Sequence, residues 1–307
     1  GGRTEGVAMK KKILSLLTVL TAIVCLTAFP HAARAGLFGF GPQTAPPAPN
    51  ELTLYAIDVG QGDSSLFVFP NGRTMLIDAG LEEAGDTVVS FLKGLGLKRI
   101  DYLVATHPHA DHMGGMKAVL ANFYIGQVWD SGFVTGAPFL KKFYSTIKRR
   151  NIPFGMPKRG YTKKIGDALV EVLAPVRELR GTRRDQNNNC IVLMVTYGSV
   201  KFLMAADMER EERATLPEIP RCTVLKLAHH GSYNGTDEKF LRDAAPSAAI
   251  ISYAKGNDYG YPHREVVKAL KDLRIMRFDT ADGTLRFSTD GKKLTYDKDR
   301  EVNGFGR

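Results

Sequence analysis

Cysteine is scarce in this 307-residue chain: three, at positions 25, 190 and 222. That count excludes a disulfide-dense scaffold and a four-cysteine structural zinc site. No apolar run beyond residue 29 approaches the roughly 20 residues a helix needs to cross a bilayer, which excludes a helical span after that point. Histidine is rare as well, seven in all, and none falls between His112 and His229. Residues 131–166 contain no Asp or Glu. Against these absences stands a formal charge of +10, suited to an anionic partner but proof of none. The length suffices for a large core, as one big domain or two small ones.

The amino-terminal 35 residues read as a signal for export. Lys10-Lys11-Lys12 is a positive n-region, Ile13 to Phe29 an apolar h-region, and Ala33-Arg34-Ala35 a small-x-small cleavage site before Gly36. A retained membrane anchor is the competing reading. Lipidation at Cys25 is disfavoured by Val24 before it, and residues 1–8 precede the Met9 start as an extension. Cleavage would remove five basic residues and one acid, taking the formal charge from +10 to +6. Cys190 and Cys222 would remain, either paired or free and buried. Residues 36–50, rich in Gly, Pro and Ala, read as a linker, leaving 51–307 as the folded domain.

One stretch organises that domain. Thr106-His107-Pro108-His109-Ala110-Asp111-His112 packs three imidazoles and a carboxylate into six positions. It follows an apolar run from Ile100 to Ala105 that reads as a buried strand, and precedes Gly114-Gly115 and a helical pattern. The cluster therefore sits on a loop at the carboxyl end of a strand, where open α/β sheets place their chemistry. Neutral imidazole and carboxylate are ligands for first-row metals.

Strands and helices alternate on both sides. Leu52 to Asp58 reads as a strand, then a glycine-rich turn, Gly60-Gln61-Gly62-Asp63-Ser64. Ser65 to Phe69 and Thr74 to Ile77 form a hairpin across Pro70-Asn71-Gly72. Helices are expected over 86–95, 138–150, 237–243 and 264–273, and one opening at Ala206-Asp207-Met208-Glu209. Further strands are expected at 126–130, 168–173, 191–197, 200–205, 222–227 and 248–253, with a closing hairpin over 283–296. Two β-rich halves carrying helices suggest two sheets face to face with helices outside.

The acid-free stretch 131–166 holds nine basic side chains, among them Lys141, Lys142, Arg149 and Arg150, with Phe139, Phe143, Tyr144, Phe154 and Tyr161 interleaved. It is either a solvated face or a groove rim that attracts phosphates and stacks bases.

His107-x-His109-x-Asp111-His112 resembles the signature of the metallo-β-lactamase superfamily. Asp58 to Ser64, Asn187 to Leu193, Ala206-Asp207, His229-His230-Gly231-Ser232 and Tyr259-Gly260-Tyr261-Pro262-His263 occur in order after it or around it. Together they resemble, over residues 50–297, the metallo-β-lactamase-like domain of the competence channel ComEC. The resemblance implies a four-layered αββα fold, one or two divalent metal ions (zinc or manganese) between the sheets, and hydrolysis of a phosphodiester or related ester. It implies that His107 and His109 hold one ion, that Asp111, His112 and His230 hold a second, and that Asp207 bridges them. The superfamily's further histidine for the first ion has no counterpart here; Asn188 or Asn189 falls at that place as a weaker amide ligand, which tilts the site toward oxygen ligands and manganese. Asp58 and Asp78 are expected to hold ligand imidazoles.

Such ions lower the pKa of coordinated water from about 15.7 to about 7. Asp111 or Asp207 would orient that water, and His229 or His263 would protonate the leaving oxygen or bond a phosphate. Ser232 and Asn234 are candidates for the pocket wall. The leading expectation is an exported nuclease or phosphodiesterase acting on an anionic substrate, DNA among the candidates. A phosphocholine esterase or other cell-envelope ester hydrolase is the alternative within that class. A non-catalytic nucleic-acid-binding protein with a vestigial site is the alternative outside it.

Overall fold

A computed structural model describes residues 48, 50–296 and 300–301. The proposed signal, and the linker apart from residues 48 and 50, lie outside the described residues. Among the described residues the strands form two sheets, of nine and seven strands. The first contains β1 (Leu52–Ala56), β2 (Ser65–Val68), β3 (Thr74–Ile77), β4 (Arg99–Ala105), β5 (Tyr124–Asp130) and β6 (Phe154–Gly155), flanked on the β1 side by β14 (Leu285–Thr289), β15 (Leu294–Tyr296) and β16 (Arg300–Glu301). The second runs β13 (Met276–Asp279), β12 (Ala248–Ile251), β11 (Val224–Lys226), β10 (Val200–Met204), β9 (Val192–Tyr197), β8 (Ala168–Ala174) and β7 (Thr162–Ile165). Strands β3, β4, β5 and β6 are parallel, as are β10 to β13.

Side-chain alternation builds the layers. Along β10, Val200, Phe202 and Met204 point between the sheets, while Leu203 faces the helices. Along β1, Leu54 points inward and Tyr55 outward. On the outer face of the first sheet lie α1 (Gly85–Gly94), α2 (Ala110–Met113), α3 (Met116–Asn122) and α4 (Pro138–Arg149). On that of the second lie α5 (Arg210–Arg213), α6 (Glu238–Ala244) and α7 (Arg264–Asp272). Leu140, Phe143 and Ile147 of α4 recur at helical spacing and are the side chains it buries. The result is the four-layered αββα sandwich the sequence leads one to expect.

One expectation needs correcting. Residues 206–209 do not open a helix: Ala206 turns left-handed at φ 46° and helix α5 starts only at Arg210. Of the two alternatives open for the cysteines, the second holds: Cys190 and Cys222 are both free and buried in the helix-facing core of the second sheet.

The inter-sheet core is anchored by an edge-on pair, Phe67 of β2 against Phe202 of β10, with centroids 5.6 Å apart. Truncation of Phe202 leaves a cavity that two rigid sheets cannot close. Phe202→Ala is expected to lower stability by about 3–5 kcal/mol in urea unfolding.

Candidate metal centre

The centre forms where strands of both sheets end. Strand β4 delivers Thr106 to His109, and α2 carries Asp111 and His112. Asp78 follows strand β3, Asp207 follows β10, and His229 and His230 follow β11. Four non-glycine residues here are left-handed: Asp78 (φ 59°), Ala206 (φ 46°), His229 (φ 50°) and His230 (φ 53°). Such backbone costs about 1–3 kcal/mol per residue and is typical of functional loops held by their surroundings. Ile191 N donates to Thr106 O at 2.9 Å, tying the two sheets together beside the histidines.

Hydrogen bonds set the direction of each imidazole. Asp78 Oδ1 accepts from Thr106 N at 2.9 Å, and Oδ2 from Thr106 Oγ1 at 2.7 Å and from His112 Nδ1 at 2.8 Å. That leaves Nε2 of His112 facing Asp207 Oδ1 at 3.3 Å. His230 Nδ1 donates to Ser252 O at 3.0 Å, so its Nε2 faces Asp111 at 3.2 Å and Asp207 at 3.6 Å. His107 Nδ1 is 3.0 Å from Thr106 Oγ1, which already donates to Asp78 and therefore accepts. His109 Nε2 donates to Gln186 Oε1 at 2.6 Å. The remaining ring nitrogens, His107 Nε2 and His109 Nδ1, face one another at 3.0 Å, and His107 Nε2 lies 3.7 Å from Asp207. A carboxylate or carbonyl behind each ring is how proteins orient metal-binding histidines.

This donor set fits divalent cations. Nε2 of His112, Nε2 of His230 and Oδ1 of Asp207 are buried with no hydrogen-bond partner. The sets His107, His112, Asp207 and Asp111, His112, His230 each bring their donor atoms within 4.8 Å of one another. Asp207 touches both sets. The electrostatics agree. Burial opposes a charge on His230, but Asp207 and Asp63 outweigh it and push its pKa up to about 10. Burial is likewise overcome at His112 by Asp207, Asp111 and Asp78, which hold it well above the usual imidazole value. Protons thus sit where a cation would satisfy the same carboxylates. His107 is driven the other way, by burial and then by His112, and stays neutral. A buried ion pair beneath the centre, Lys226 Nζ to Asp63 Oδ2 at 2.7 Å, balances one further carboxylate.

Several residues stand elsewhere than expected. Asn188 and Asn189 do not reach the centre. Asn188 Oδ1 accepts from Glu212 N, and both ends of the Asn189 amide are bonded to backbone at 179 and 185. The amides at the centre are their neighbours: Gln186 on His109, and Asn187, whose buried Oδ1 has no partner. Asp58 holds no imidazole; its Oδ1 accepts from Gly60 N within its own turn. The residue that supports His230 there is Asp63, at 3.4 Å. His263 Nδ1 accepts from Tyr233 N, which keeps its ring behind Tyr261. His229 is held instead by Glu209 Oε1 at 3.0 Å and Tyr261 Oη at 3.1 Å.

The cleft over the centre, about 250 Å³, is walled by Gln61, His109, Asp111, Arg184, Tyr259 and Tyr261. Ser232 is buried and Asn234 N bonds its hydroxyl, so neither forms that wall. The basic stretch does not form it either. Lys142, Arg149 and Arg150 line a separate groove of about 740 Å³ between α3 and α4, which Lys141 does not line. Arg150 is bonded to the carbonyls of Leu120 and Phe123. The cation on the cleft wall is Arg184, a residue the sequence did not single out.

Comparison with known proteins agrees with this geometry. The family model for the metallo-beta-lactamase superfamily matches residues 57–255. The chain belongs to that superfamily. It is 30% identical to ComE operon protein 3 of Bacillus subtilis, over 91% of this chain and 37% of that protein. It is 28% identical to competence protein ComA of Neisseria gonorrhoeae, over 82% of this chain and 34% of that protein. The chain thus spans about a third of the length of these relatives. Among solved structures it resembles CmlA, a diiron beta-hydroxylase from Streptomyces venezuelae, at TM-score 0.51 and 15% identity, covering 80% of this chain and 55% of that one. The metallo-beta-lactamase fold protein YhfI from Bacillus subtilis matches at TM-score 0.50 and 11% identity, over 74% and 95%. These two likenesses concern the fold alone. No described helix is long and apolar enough to cross a membrane.

Two outcomes follow from this packing. Gly62 sits at φ +126°, and a Cβ there would lie 2.2 Å from the Asp111 carbonyl. Gly62→Ala is therefore expected to displace the 109–112 turn and weaken manganese or zinc binding by at least about tenfold in calorimetry. Behind the centre, burial pushes Glu212 up from 4.5 to about 8, against hydrogen bonds from Cys190 that lower it. A raised acid stabilises the fold fully below its unfolded pKa and loses that contribution as pH rises through the folded one. The wild type should therefore lose on the order of a few kcal/mol between about pH 4.5 and 8 that Glu212→Gln retains. Urea midpoints of the two proteins across that range measure the difference.

Proposed function

We propose that the chain is an exported metal-dependent hydrolase of phosphodiesters, with nucleic acid the leading substrate. The observation that carries this reading is the set of unpartnered donors, His112 Nε2, His230 Nε2 and Asp207 Oδ1, buried under a cleft whose wall holds a cation. A divalent cation bound there supplies Lewis acidity, activating water and neutralising charge that develops on a phosphoryl oxygen.

The chain's own residues do the remainder. Asp111, partly exposed in the cleft, orients water and takes its proton. Arg184 offers a planar guanidinium to the phosphate. Glu209 lies 3.0 Å from His229 Nδ1, and the Tyr261 hydroxyl is hydrogen-bonded to His229 Nε2, a row of groups beside the cleft suited to pass a proton to the leaving oxygen. Likeness to a competence protein supports DNA as the ligand class. The pattern of residues 10–36 supports export. A second reading, a phosphocholine esterase of the cell envelope, would set a quaternary ammonium against the exposed ring of Tyr259 at the mouth. A vestigial, purely binding centre leaves the orientation of four imidazoles without a purpose.

Turnover of a chromogenic phosphodiester with added manganese or zinc tests the reading. Asp207→Asn and His109→Ala should each lower kcat by about 10²–10³, and chelation should abolish turnover. Full activity in Asp207→Asn would overturn the assignment.

A further inference from the structure

The mouth of the metal cleft carries a ring the hydrolytic chemistry does not use, that of Tyr259. Tyr259 leaves 63% of its surface in water, and its ring lies against that of Tyr261 at 5.4 Å and 13° from parallel. Both rings wall the cleft. A lone exposed tyrosine means little, but this one stands on a braced loop. Asn257 Oδ1 accepts from Tyr259 N at 3.1 Å and Tyr261 N at 3.0 Å, while Nδ2 donates to Ala254 O at 2.9 Å and Tyr261 O at 2.7 Å. Gly260, at φ +72°, is the left-handed link that lets both rings lie on one side. Gln61 Oε1 accepts from Ala254 N, fixing the loop to the glycine-rich turn across the cleft. One polar side chain thus holds the loop in shape before any ligand arrives, which lowers the entropic cost of binding.

We propose that Tyr259 and Tyr261 form a stacking platform for one unpaired nucleobase beside the bond to be cut, with Arg184 on the neighbouring phosphate. This deepens the hydrolase reading and rests on it; the substrate class becomes single-stranded nucleic acid. A flat aromatic face recognises any base, because every base has a π-face. A quaternary ammonium is a poorer match. It is bound by rings that face it as walls of a cage, whereas these two rings stack on one another, with Tyr259 the exposed member of the pair, and enclose no cage between them. The Arg184 guanidinium on the same cleft repels it. A paired base is excluded from the platform because its faces are already stacked within the duplex.

The test compares a labelled single-stranded thymidine oligonucleotide, the same backbone with abasic sites, and the matching duplex. Anisotropy on the metal-free protein reads binding, and cleavage with manganese reads turnover. Tyr259→Ala removes an exposed ring; Tyr259→Phe keeps its face. The single strand should bind on the order of tenfold more tightly than the abasic strand, and more tightly than the duplex. Tyr259→Ala should erase that preference, raising KM more than it lowers kcat, while Tyr259→Phe retains it. Equal binding of thymidine and abasic strands, or a preference that survives Tyr259→Ala, overturns the platform, as does competition by a phosphocholine ester that Tyr259→Ala abolishes. If the wild type cleaves no phosphodiester, the hydrolase reading falls, and the binding comparison still decides the platform.

Discussion

Uncompensated carboxylate charge is the constraint on which the rest of this structure depends. Asp63, Asp78 and Asp207 are buried within one site, and Asp111 adjoins them. Each would cost several kcal/mol in a dry interior without opposing charge. Lys226 answers Asp63, and Thr106 with His112 answers Asp78. For Asp207 the neighbours are imidazoles alone, His107, His112, His229 and His230, at 3.3–3.7 Å. Without a cation the site is neutralised by protons on rings that burial would otherwise strip. A domain organised to collect negative charge at its centre, in a chain with an overall excess of positive charge, is organised to collect cations there.

That collection is a consequence of topology. The parallel strands β3, β4, β10 and β11 all end at the same edge of the sandwich, so their loops meet without any long excursion. Antiparallel pairing there would have sent alternate loops to the opposite edge. The left-handed turns at Asp78, Ala206, His229 and His230 then redirect chain that is leaving a strand straight back over the site. The backbone strain sits in loops that the hydrogen bonds of Asp78, His112 and His230 pin in place.

Most of the centre was legible because its residues are close in sequence or of rare type. Three histidines in six positions after an apolar strand leave few alternatives, and the pair at 229–230 shares the second half with His263 alone. The amide neighbours were not legible for a geometric reason. Residues 187–189 form a tight 3-10 turn, in which successive side chains point about a third of a turn apart. A run of identical asparagines gives no sign of which one faces inward, and the shift from Asn188 or Asn189 to Asn187 and Gln186 is a rotation of that turn. Asp58 was misplaced similarly: it and Asp63 flank one glycine turn, and only the fold shows which end approaches His230. Charge density could not choose between the two readings of residues 131–166, since nine cations without an acid describe a surface, not its distance from a cleft.

Fold and reaction separate here. A diiron β-hydroxylase shares this sandwich at TM-score 0.51, so the scaffold alone does not choose between oxidation and hydrolysis. The choice rests on what surrounds the donors. His107 and His109, neutral and facing each other at 3.0 Å, are an all-imidazole pair; His112, His230, Asp111 and Asp207 are the harder set, with two carboxylates. Next to the hard set stand an arginine, a tyrosine hydroxyl and a buried Glu–His pair, all groups that move protons or bind oxyanions. Groups of that kind suit the reaction proposed above, an ester bond broken by water.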